Sequence, residues 1–552
     1  MIYPKIPLAQ SVLQICLAKG VTTVVISPGS RNAPLTIGFA NHPDFTCYSI
    51  ADERCAAFFA LGIAQQTGKP VALLCTSGSA LLNYYPAVAE AFYSQIPLVV
   101  ISADRPVSKI DIGDGQTIRQ RNVFENHSVF NANLTEEASE DNDELINEAI
   151  NKAYLKKGPA HINVPFEEPL YETVKKLTVD ATISATAKVY RNISVEDIIA
   201  STNIWNAAKK KLILIGSNEP ASIDREILDG WAKDPSIVVM TEVTSNVHGD
   251  SFLDNIDTII TPFSDSDFEE FRPEILITFG GMIVSKRVKA WLRNYPPEHH
   301  WHIDASRAYN TFGCLAHHFV ANPNDFFLQI LPFTKDVKSD YAMKASAVKQ
   351  LRAKRHAEFL KKAPYSDFSV FGKLIPSLPR HSMLQISNSA SIRYAQLFDV
   401  DKSIAVYCNR GTSGIDGSTS TAVGAALASG IPTILITGDI SFFYDSNALW
   451  NNYIPKNFKI IVVNNSGGGI FRILPGHAEN KVFNTYFETS HQLTAEHLAR
   501  MYGFTYIASA DETSLPTALE QFHASETKAI LEIFTPEKSN DGVLKNYFKN
   551  LV

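Results

Sequence analysis

One short string occurs twice in this chain, and that duplication restricts the possible folds more than any other feature. Ala60-Leu-Gly-Ile-Ala-Gln-Gln-Thr-Gly-Lys-Pro70 and Ala422-Val-Gly-Ala-Ala-Leu-Ala-Ser-Gly-Ile-Pro432 agree at every Ala, Gly and Pro that defines them. In both, a helix that packs closely through Gly and Ala turns at Gly-x-Pro into an apolar strand ending at Thr76 or Thr437. Another helix and another buried strand follow. Upstream, Ile26-Ser27 followed by Ser30-Arg31 loosely matches Ile386-Ser387 followed by Ser391 and Arg393. Helix–glycine–strand pieces recur in many α/β proteins, so shared fold grammar is the competing reading; a duplicated domain is the favoured one.

Short apolar segments alternate with helix-length ones along the whole chain, at Val21–Ser27, Val71–Thr76, Leu98–Ser102, Leu212–Gly216, Ile275–Gly280, Thr433–Thr437 and Lys459–Asn464. Strands with no polar face belong to parallel sheets covered on both sides by helices. Polar passages near Val174–Lys188 and Thr334–Lys349 read as connections between domains. The expectation is three doubly wound parallel-sheet α/β domains, at residues 1–180, 190–335 and 350–552, the first and third being related folds.

Bulk properties remove several function classes. A net charge of −7 without a Lys/Arg-rich tract argues against a nucleic-acid partner, which needs a clustered cationic surface. The six cysteines are scattered with no Cys-x-x-Cys pair, which suits reduced thiols better than a disulfide framework or a zinc site. Lys5, Gln10, Gln14 and Lys19 interrupt the first apolar stretch, which therefore reads as an amphipathic helix rather than a signal peptide. No apolar run elsewhere approaches the ~20 residues needed to cross a bilayer. A cytoplasmic location without membrane attachment is expected.

Ligands of open α/β sheets bind beyond the carboxyl ends of the strands. In the second copy those ends carry oxygen. Thr433–Thr437 delivers Gly438-Asp439, and Lys459–Val463 delivers Asn464-Asn465, then Ser466 and three glycines, Gly467 to Gly469. If the strands are neighbours, a carboxylate and an amide oxygen face one another. A hard cation such as Mg²⁺ takes few protein oxygens and completes its octahedron with phosphate and water, and glycines let backbone approach those phosphates. Taken singly, Gly-Asp before a helix is an ordinary cap and Asn-Asn-Ser-Gly an ordinary turn.

Gly438-Asp439 together with Asn464-Asn465 resembles the metal and diphosphate signature of thiamine diphosphate enzymes, although Ile440-Ser441 stands where Gly commonly follows the Asp. The resemblance implies that Asp439, Asn465 and the Gly467 carbonyl hold Mg²⁺, with Mn²⁺ as its substitute. Such enzymes also need a carboxylic acid against the aminopyrimidine ring. Asp52-Glu53-Arg54, between strand-like Thr46–Ile50 and the apolar helix Cys55–Ala64, offers Glu53 for that catalytic role. In this superfamily the pyrimidine domain of one subunit faces the diphosphate domain of another, which implies at least a homodimer and leaves a dimer of dimers open.

Longer strings narrow the family. Ser27-Pro-Gly-Ser-Arg-Asn-Ala-Pro34, Thr76-Ser-Gly-Ser79, Ser102-Ala-Asp-Arg-Pro106, Asn409-Arg-Gly-Thr-Ser-Gly-Ile-Asp-Gly417 and Ile470-Phe-Arg-Ile-Leu-Pro475 resemble the 2-succinyl-5-enolpyruvyl-6-hydroxy-3-cyclohexene-1-carboxylate synthase family of menaquinone biosynthesis. That family is a transferase group which decarboxylates 2-oxoglutarate and adds the succinyl carbanion equivalent to isochorismate. Both substrates are dianions, and guanidinium groups pair carboxylates in a bidentate way while staying charged. The resemblance places Ser30, Arg31, Arg105, Gln116 and Lys286 toward isochorismate, and Arg393, Arg410 and Ser389 toward substrate carboxylates, without saying which arginine meets which carboxylate. It also places Thr76, Ser387, Ser389, Gly438 and Ser441 at the cofactor, Ile415 beneath it as a wedge, and Ile470, Phe471 and Leu474 as an apolar wall. Arg119, Arg121 and Arg472 are expected to make surface salt bridges.

The middle region has strand-to-glycine turns at Ile213–Gly216 and Thr278–Gly281 but no Gly-x-Gly-x-x-Gly, so no flavin is expected there. Glu298-His299-His300-Trp301-His302 lacks helical ligand spacing, and core or solvated histidines are its expected reading. Two alternatives remain: a thiamine-dependent enzyme acting on another 2-oxo acid such as pyruvate, and a silent scaffold with the same fold.

Overall fold

The computed structural model describes residues 1–185, 193–473 and 479–552. Three all-parallel sheets follow one another along the chain. The first holds β1 (Thr23–Ile26), β2 (Thr46–Ser49), β3 (Val71–Cys75), β4 (Leu98–Asp104), β5 (Phe130–Asn133) and β6 (Ala160–Pro165), in the order β2-β1-β3-β4-β6-β5. The second holds β7 (Lys211–Ile215), β8 (Ile237–Thr241), β9 (Ile275–Phe279), β10 (His299–Ile303) and β11 (Leu315–Phe319), in the order β8-β7-β9-β10-β11. The third holds β12 (Met383–Ile386), β13 (Ala405–Tyr407), β14 (Thr433–Gly438), β15 (Phe458–Asn464), β16 (Thr505–Ser509) and β17 (Ala529–Phe534), in the order β13-β12-β14-β15-β17-β16. Most of these strands are buried along their length, which is why they read as continuous apolar runs.

Counted from its own first strand, the third sheet repeats the order of the first, so the duplication extends to the whole sheet. Matching residues make matching bonds. The Ser27 N–H donates to the Leu74 carbonyl at 2.8 Å and the Ser387 N–H to the Ile436 carbonyl at 2.9 Å. Gly68 and Gly430 end their helices at φ 64° and 69°, and their N–H groups donate to Ala64 and Ala426. That left-handed turn is what Gly-x-Pro encodes.

The repeated glycines six residues earlier do something the string alone did not reveal. The Glu53–Thr67 and Ser418–Ser429 helices cross in direct backbone contact. A Cβ on Gly62 would lie 2.1 Å from the Thr421 carbonyl, and one on Gly424 would lie 2.0 Å from the Phe59 carbonyl. Thr421 and Phe59 hold the same place in the two copies, so the contact is reciprocal. One apolar core runs through the crossing, with Phe58, Phe59 and Leu61 beside Ala422, Val423, Leu435 and Phe442. The first helix starts at Glu53 rather than Cys55, because the Asp52 carboxylate caps it by accepting from the Cys55 N–H at 3.2 Å.

The middle domain joins the third through Asn246, whose amide copies a strand edge: Nδ2 donates to the Val406 carbonyl at 2.9 Å, and Oδ1 accepts from the Val406 N–H at 2.8 Å. The latter half of the passage expected as a connection at Thr334–Lys349 belongs to a helix, Tyr341–Leu360, anchored by the buried Tyr341 hydroxyl on the Phe271 carbonyl. His300 and His302 sit on β10 with Thr278 Oγ1 between them at 2.9 and 2.8 Å, and burial lowers both to about 4, the pattern of core histidines. All six cysteines are free, and among the described residues no helix is long and apolar enough to cross a membrane.

Candidate cofactor and substrate site

β14 and β15 are parallel neighbours with Gly438 opposite Val463, so Asp439 and Asn465 leave adjacent strand ends. Asp439 is buried at the start of a short helix, Asp439–Tyr444. Its Oδ1 accepts from the Ile440 N–H at 2.7 Å and its Oδ2 from the Gly467 N–H at 2.9 Å. His491 Nε2 stands 3.3 Å from the same Oδ2. The glycine run is held by Glu488, whose carbonyl accepts from the Gly468 N–H at 2.6 Å and would lie 2.8 Å from any Cβ on Gly467. Asn465 donates from Nδ2 to Asp367 at 3.1 Å, while its buried Oδ1 has no hydrogen-bond partner among the described residues. A buried amide oxygen left open beside a carboxylate, on a loop that excludes side chains, is the donor set a hard cation takes. These residues fit the expected metal.

Residues assigned to the cofactor gather round that loop. Ser387 Oγ accepts from the Gly438 N–H at 3.3 Å, and Ser441 Oγ donates to the Ile415 carbonyl at 3.0 Å. Ser389 takes φ 69°, which turns the chain sharply between β12 and the next helix. Asn388, missed in the sequence although it lies between two nominated serines, donates to the Asn409 and Gly414 carbonyls at 2.7 Å each and accepts from Arg410 Nη1 at 2.6 Å. Glu90 of the first domain, also missed, accepts from the Gly411 and Thr412 N–H groups at 2.7 and 2.6 Å. Ile470 and Phe471 open a short helix and are half-buried. Leu474 lies outside the described residues.

One expectation fails here. Arg472 is not a surface residue: it is buried, forks onto the buried Glu488 carboxylate through Nε and Nη2, lies over the Phe483 ring, and reaches the exposed Glu479 only with Nη1, at 3.5 Å. Its charge fixes the segment that supports the glycine run, a pairing hidden from the sequence by the residues in between. Arg119 does make an exposed pair, with Asp111 at 2.8 Å.

The arginines divide into two kinds. Arg31 is buried and committed, donating to the Phe166 carbonyl at 3.0 Å and to Glu168 at 3.1 Å. Arg105, Arg393 and Arg410 each keep a buried Nε–H without a partner among the described residues. Burial, and after it the neighbouring Arg410, disfavours the charged form of Arg393. Lys286 is exposed at the start of the Lys286–Asn294 helix. One turn on, burial lowers Lys289, which lies in the field of Glu242, Arg410 and Arg393. Glu242 accepts from the Val284 and Ser285 N–H groups at 2.7 Å each, and burial pushes it up to about 7. Lys289 and Arg410 border a cavity of about 310 Å³ at the carboxyl ends of β9 and β10, between all three domains.

At the first sheet, Thr76 is buried and its Oγ1 accepts from the Arg31 N–H at 3.3 Å. Ser30 and Gln116 are exposed, and the Gln116 carbonyl accepts from Ser77 Oγ at 2.9 Å. Glu53 is half-buried, close enough to Cys75 and Tyr84 to disfavour their ionisation. Among the described residues no hydrogen bond or ion pair engages its carboxylate. Its neighbours do reach the third domain: Asp52 accepts from Asn447 at 2.9 Å, and Arg54 donates to the Tyr444 carbonyl at 2.9 Å. Asp439 lies at the opposite end of the helix that ends at Tyr444.

Three family models match in chain order. Residues 6–131 match the thiamine pyrophosphate enzyme N-terminal TPP binding domain, residues 185–386 the middle domain, and residues 389–533 the C-terminal TPP binding domain. The 2-succinyl-5-enolpyruvyl-6-hydroxy-3-cyclohexene-1-carboxylate synthase of Flavobacterium johnsoniae is 66% identical to this chain over 553 residues, covering 100% of both. The chain belongs to that synthase family. The synthases of Flavobacterium psychrophilum, 65% identical over 100% of both chains, and Phocaeicola vulgatus, 39% identical over 97% of this chain and 96% of its own, carry the same name. Thiamine pyrophosphate is thiamine diphosphate, so the first and third domains, the two copies of the repeat, are its binding domains.

Proposed function

We propose that this chain, with thiamine diphosphate and Mg²⁺ bound, decarboxylates 2-oxoglutarate and adds the remaining four-carbon unit to isochorismate by conjugate addition, giving 2-succinyl-5-enolpyruvyl-6-hydroxy-3-cyclohexene-1-carboxylate. The observation that carries this reading is the open Asn465 oxygen beside Asp439, in a chain that matches its relatives from end to end. Mn²⁺ suits the same oxygens. When bound, the cofactor supplies an electron sink that lets a 2-oxo acid lose CO₂ and its acyl carbon act as a nucleophile.

The residues do the rest. Asp439, Asn465 and the Gly467 carbonyl hold the cation, and the N–H groups of the glycine run serve the diphosphate. Glu53 shares a proton with the aminopyrimidine ring. Arg393 and Arg410, with open Nε–H groups and Ser389 beside them, receive carboxylates; Arg105 receives another, and Gln116 and Ser30 line the approach. Ile415, Ile470 and Phe471 keep water from the reacting carbon. The family resemblance implies a site completed by Glu53 of a second copy and hence a homodimer.

The deciding assay supplies both substrates with Mg²⁺ and cofactor. Isochorismate absorbance falls with 2-oxoglutarate present and stays level with pyruvate in its place. Consumption of pyruvate without loss of isochorismate would defeat the assignment.

A further inference from the structure

Asn465 can bind a cation only one way round. A side-chain amide is nearly symmetric in shape, so a half-turn about its last bond exchanges a ligand oxygen for an NH₂ group that repels the metal. Something must choose between the two. The backbone does not, because both orientations fill the same space.

The choice is made from a distant part of the chain. Asp367 opens the Asp367–Ser377 helix and is 2% exposed. Its backbone N–H donates to Asn540 Oδ1 at 2.8 Å, and its Oδ1 accepts from Thr535 Oγ1 at 2.6 Å. Thr535 is itself tied to the cation loop, its N–H donating to the Asn464 carbonyl at 2.9 Å. That leaves Asp367 Oδ2 to accept from Asn465 Nδ2 at 3.1 Å. A carboxylate only accepts, so it draws the NH₂ end of the amide and repels the carbonyl end. Asn465 Oδ1 is left buried and, among the described residues, unpaired.

We propose that Asp367 is a positioning residue for the divalent cation, fixing the Asn465 amide with its nitrogen turned to the acid and its oxygen open to the metal. This rests on Asn465 being a cation ligand. Asp367 touches neither cation nor substrate; it removes the wrong orientation from the unliganded protein, so binding does not have to reverse the amide.

The test is the Mn²⁺ dissociation constant of the full chain at saturating thiamine diphosphate, read from the electron paramagnetic resonance signal of free Mn²⁺. Asp367→Asn keeps the shape. With its oxygen held by the short Thr535 bond, it presents NH₂ to Asn465 and turns that amide over, weakening Mn²⁺ roughly tenfold or more. Adding Asn465→Asp exchanges acid and amide, keeps the charge, and offers an oxygen in either orientation; affinity returns to within about threefold of the parent. A merely structural role for Asp367 would give no such rescue. Thermal midpoints of both variants report the fold, and if the single variant does not fold, the Mn²⁺ affinity of the double variant against the parent decides. Wild-type affinity in Asp367→Asn, or a double variant as weak as the single one, overturns the proposal. Asn465→Ala is the separate control: if it binds Mn²⁺ normally, the assignment of Asn465 as ligand falls.

Discussion

At the end of β3 the chain runs through Thr76-Ser77-Gly78 into a helix, and at the matching end of β14 it runs through Gly438-Asp439 into another. The two turns are braced by opposite chemistry. Around the first, amides, a hydroxyl and a neutral imidazole make the contacts, with the buried Asp104 carboxylate behind them: Gln120 accepts from the Gly78 N–H at 2.9 Å and donates to Asn163 at 2.8 Å, Asn163 donates to Asp104 at 2.7 Å, Ser102 bonds Asn163 and His161 at 2.8 Å, and burial lowers His161 to about 3. Around the second, carboxylates recur: Asp439 on the Gly467 N–H, Asp367 on Asn465 and Glu488 on Arg472. A floor that meets its turn with amides suits an organic ring, and one that meets it with carboxylates suits a cation carrying a diphosphate. Duplication supplied one scaffold, and the side chains under each turn decide which half of a cofactor it meets.

The harshest trial of that contrast is to remove one acid from each half. Asp439→Ala weakens Mg²⁺-dependent cofactor binding by at least roughly a hundredfold in calorimetry, since a ligand outweighs any supporting residue. Glu53→Gln slows turnover by roughly 10²–10⁴ while cofactor affinity changes less than about tenfold. Equal losses of affinity would erase the division of labour. Producing both variants together sharpens it: half the dimers are mixed, one site in each is whole, and about a quarter of parental activity returns. No recovery would place Glu53 and Asp439 of one site on one chain.

Smaller effects test the crossing that joins the halves. Gly62→Ala and Gly424→Ala each drive a methyl into the opposite backbone and destabilise by about 1–3 kcal/mol, in similar amounts because the contact is reciprocal. Thermal midpoints of the pair check this. The mildest is a pH effect. Asp445 sits at the same junction, accepts from the Ser420 N–H and Oγ at 2.7 and 2.8 Å, and is pushed up to about 7 by burial. Between its ordinary carboxylate range and pH 7 the folded chain holds a proton that the unfolded chain has released, so stability falls as pH rises through that window. Asp445→Asn flattens this slope, by at most about 1.4 kcal/mol per pH unit. An unchanged slope in denaturant titrations at several pH values removes Asp445 as its source.

The legible parts of this molecule were local. Apolar runs marked the parallel strands, Gly-x-Pro marked the left-handed turns, and Gly438-Asp439 with Asn464-Asn465 marked adjacent strand ends. What stayed hidden needed partners far away in the chain. Asp367 means nothing until β15 brings Asn465 beside it, and Glu90 looks like a solvated helix residue until the Gly411 turn docks on it. Arg472 resembled a surface charge because Glu488 is beyond helical reach. Lys286 and Lys289 illustrate a subtler limit: both are lysines on one helix, and only packing shows which is driven toward Arg410.

The reciprocal seat of Gly62 and Gly424 has one more implication. A joint in which each side offers the other an identical groove is what two copies of a single chain make about a twofold axis. Here both sides belong to one polypeptide, so the joint forms at the high local concentration of a tether rather than at the mercy of dilution. Two free copies would have to carry every change in duplicate. Within one chain, carboxylates can brace the turn in one half while amides brace it in the other, and the asymmetry that chemistry demands grows on a frame that remains symmetric.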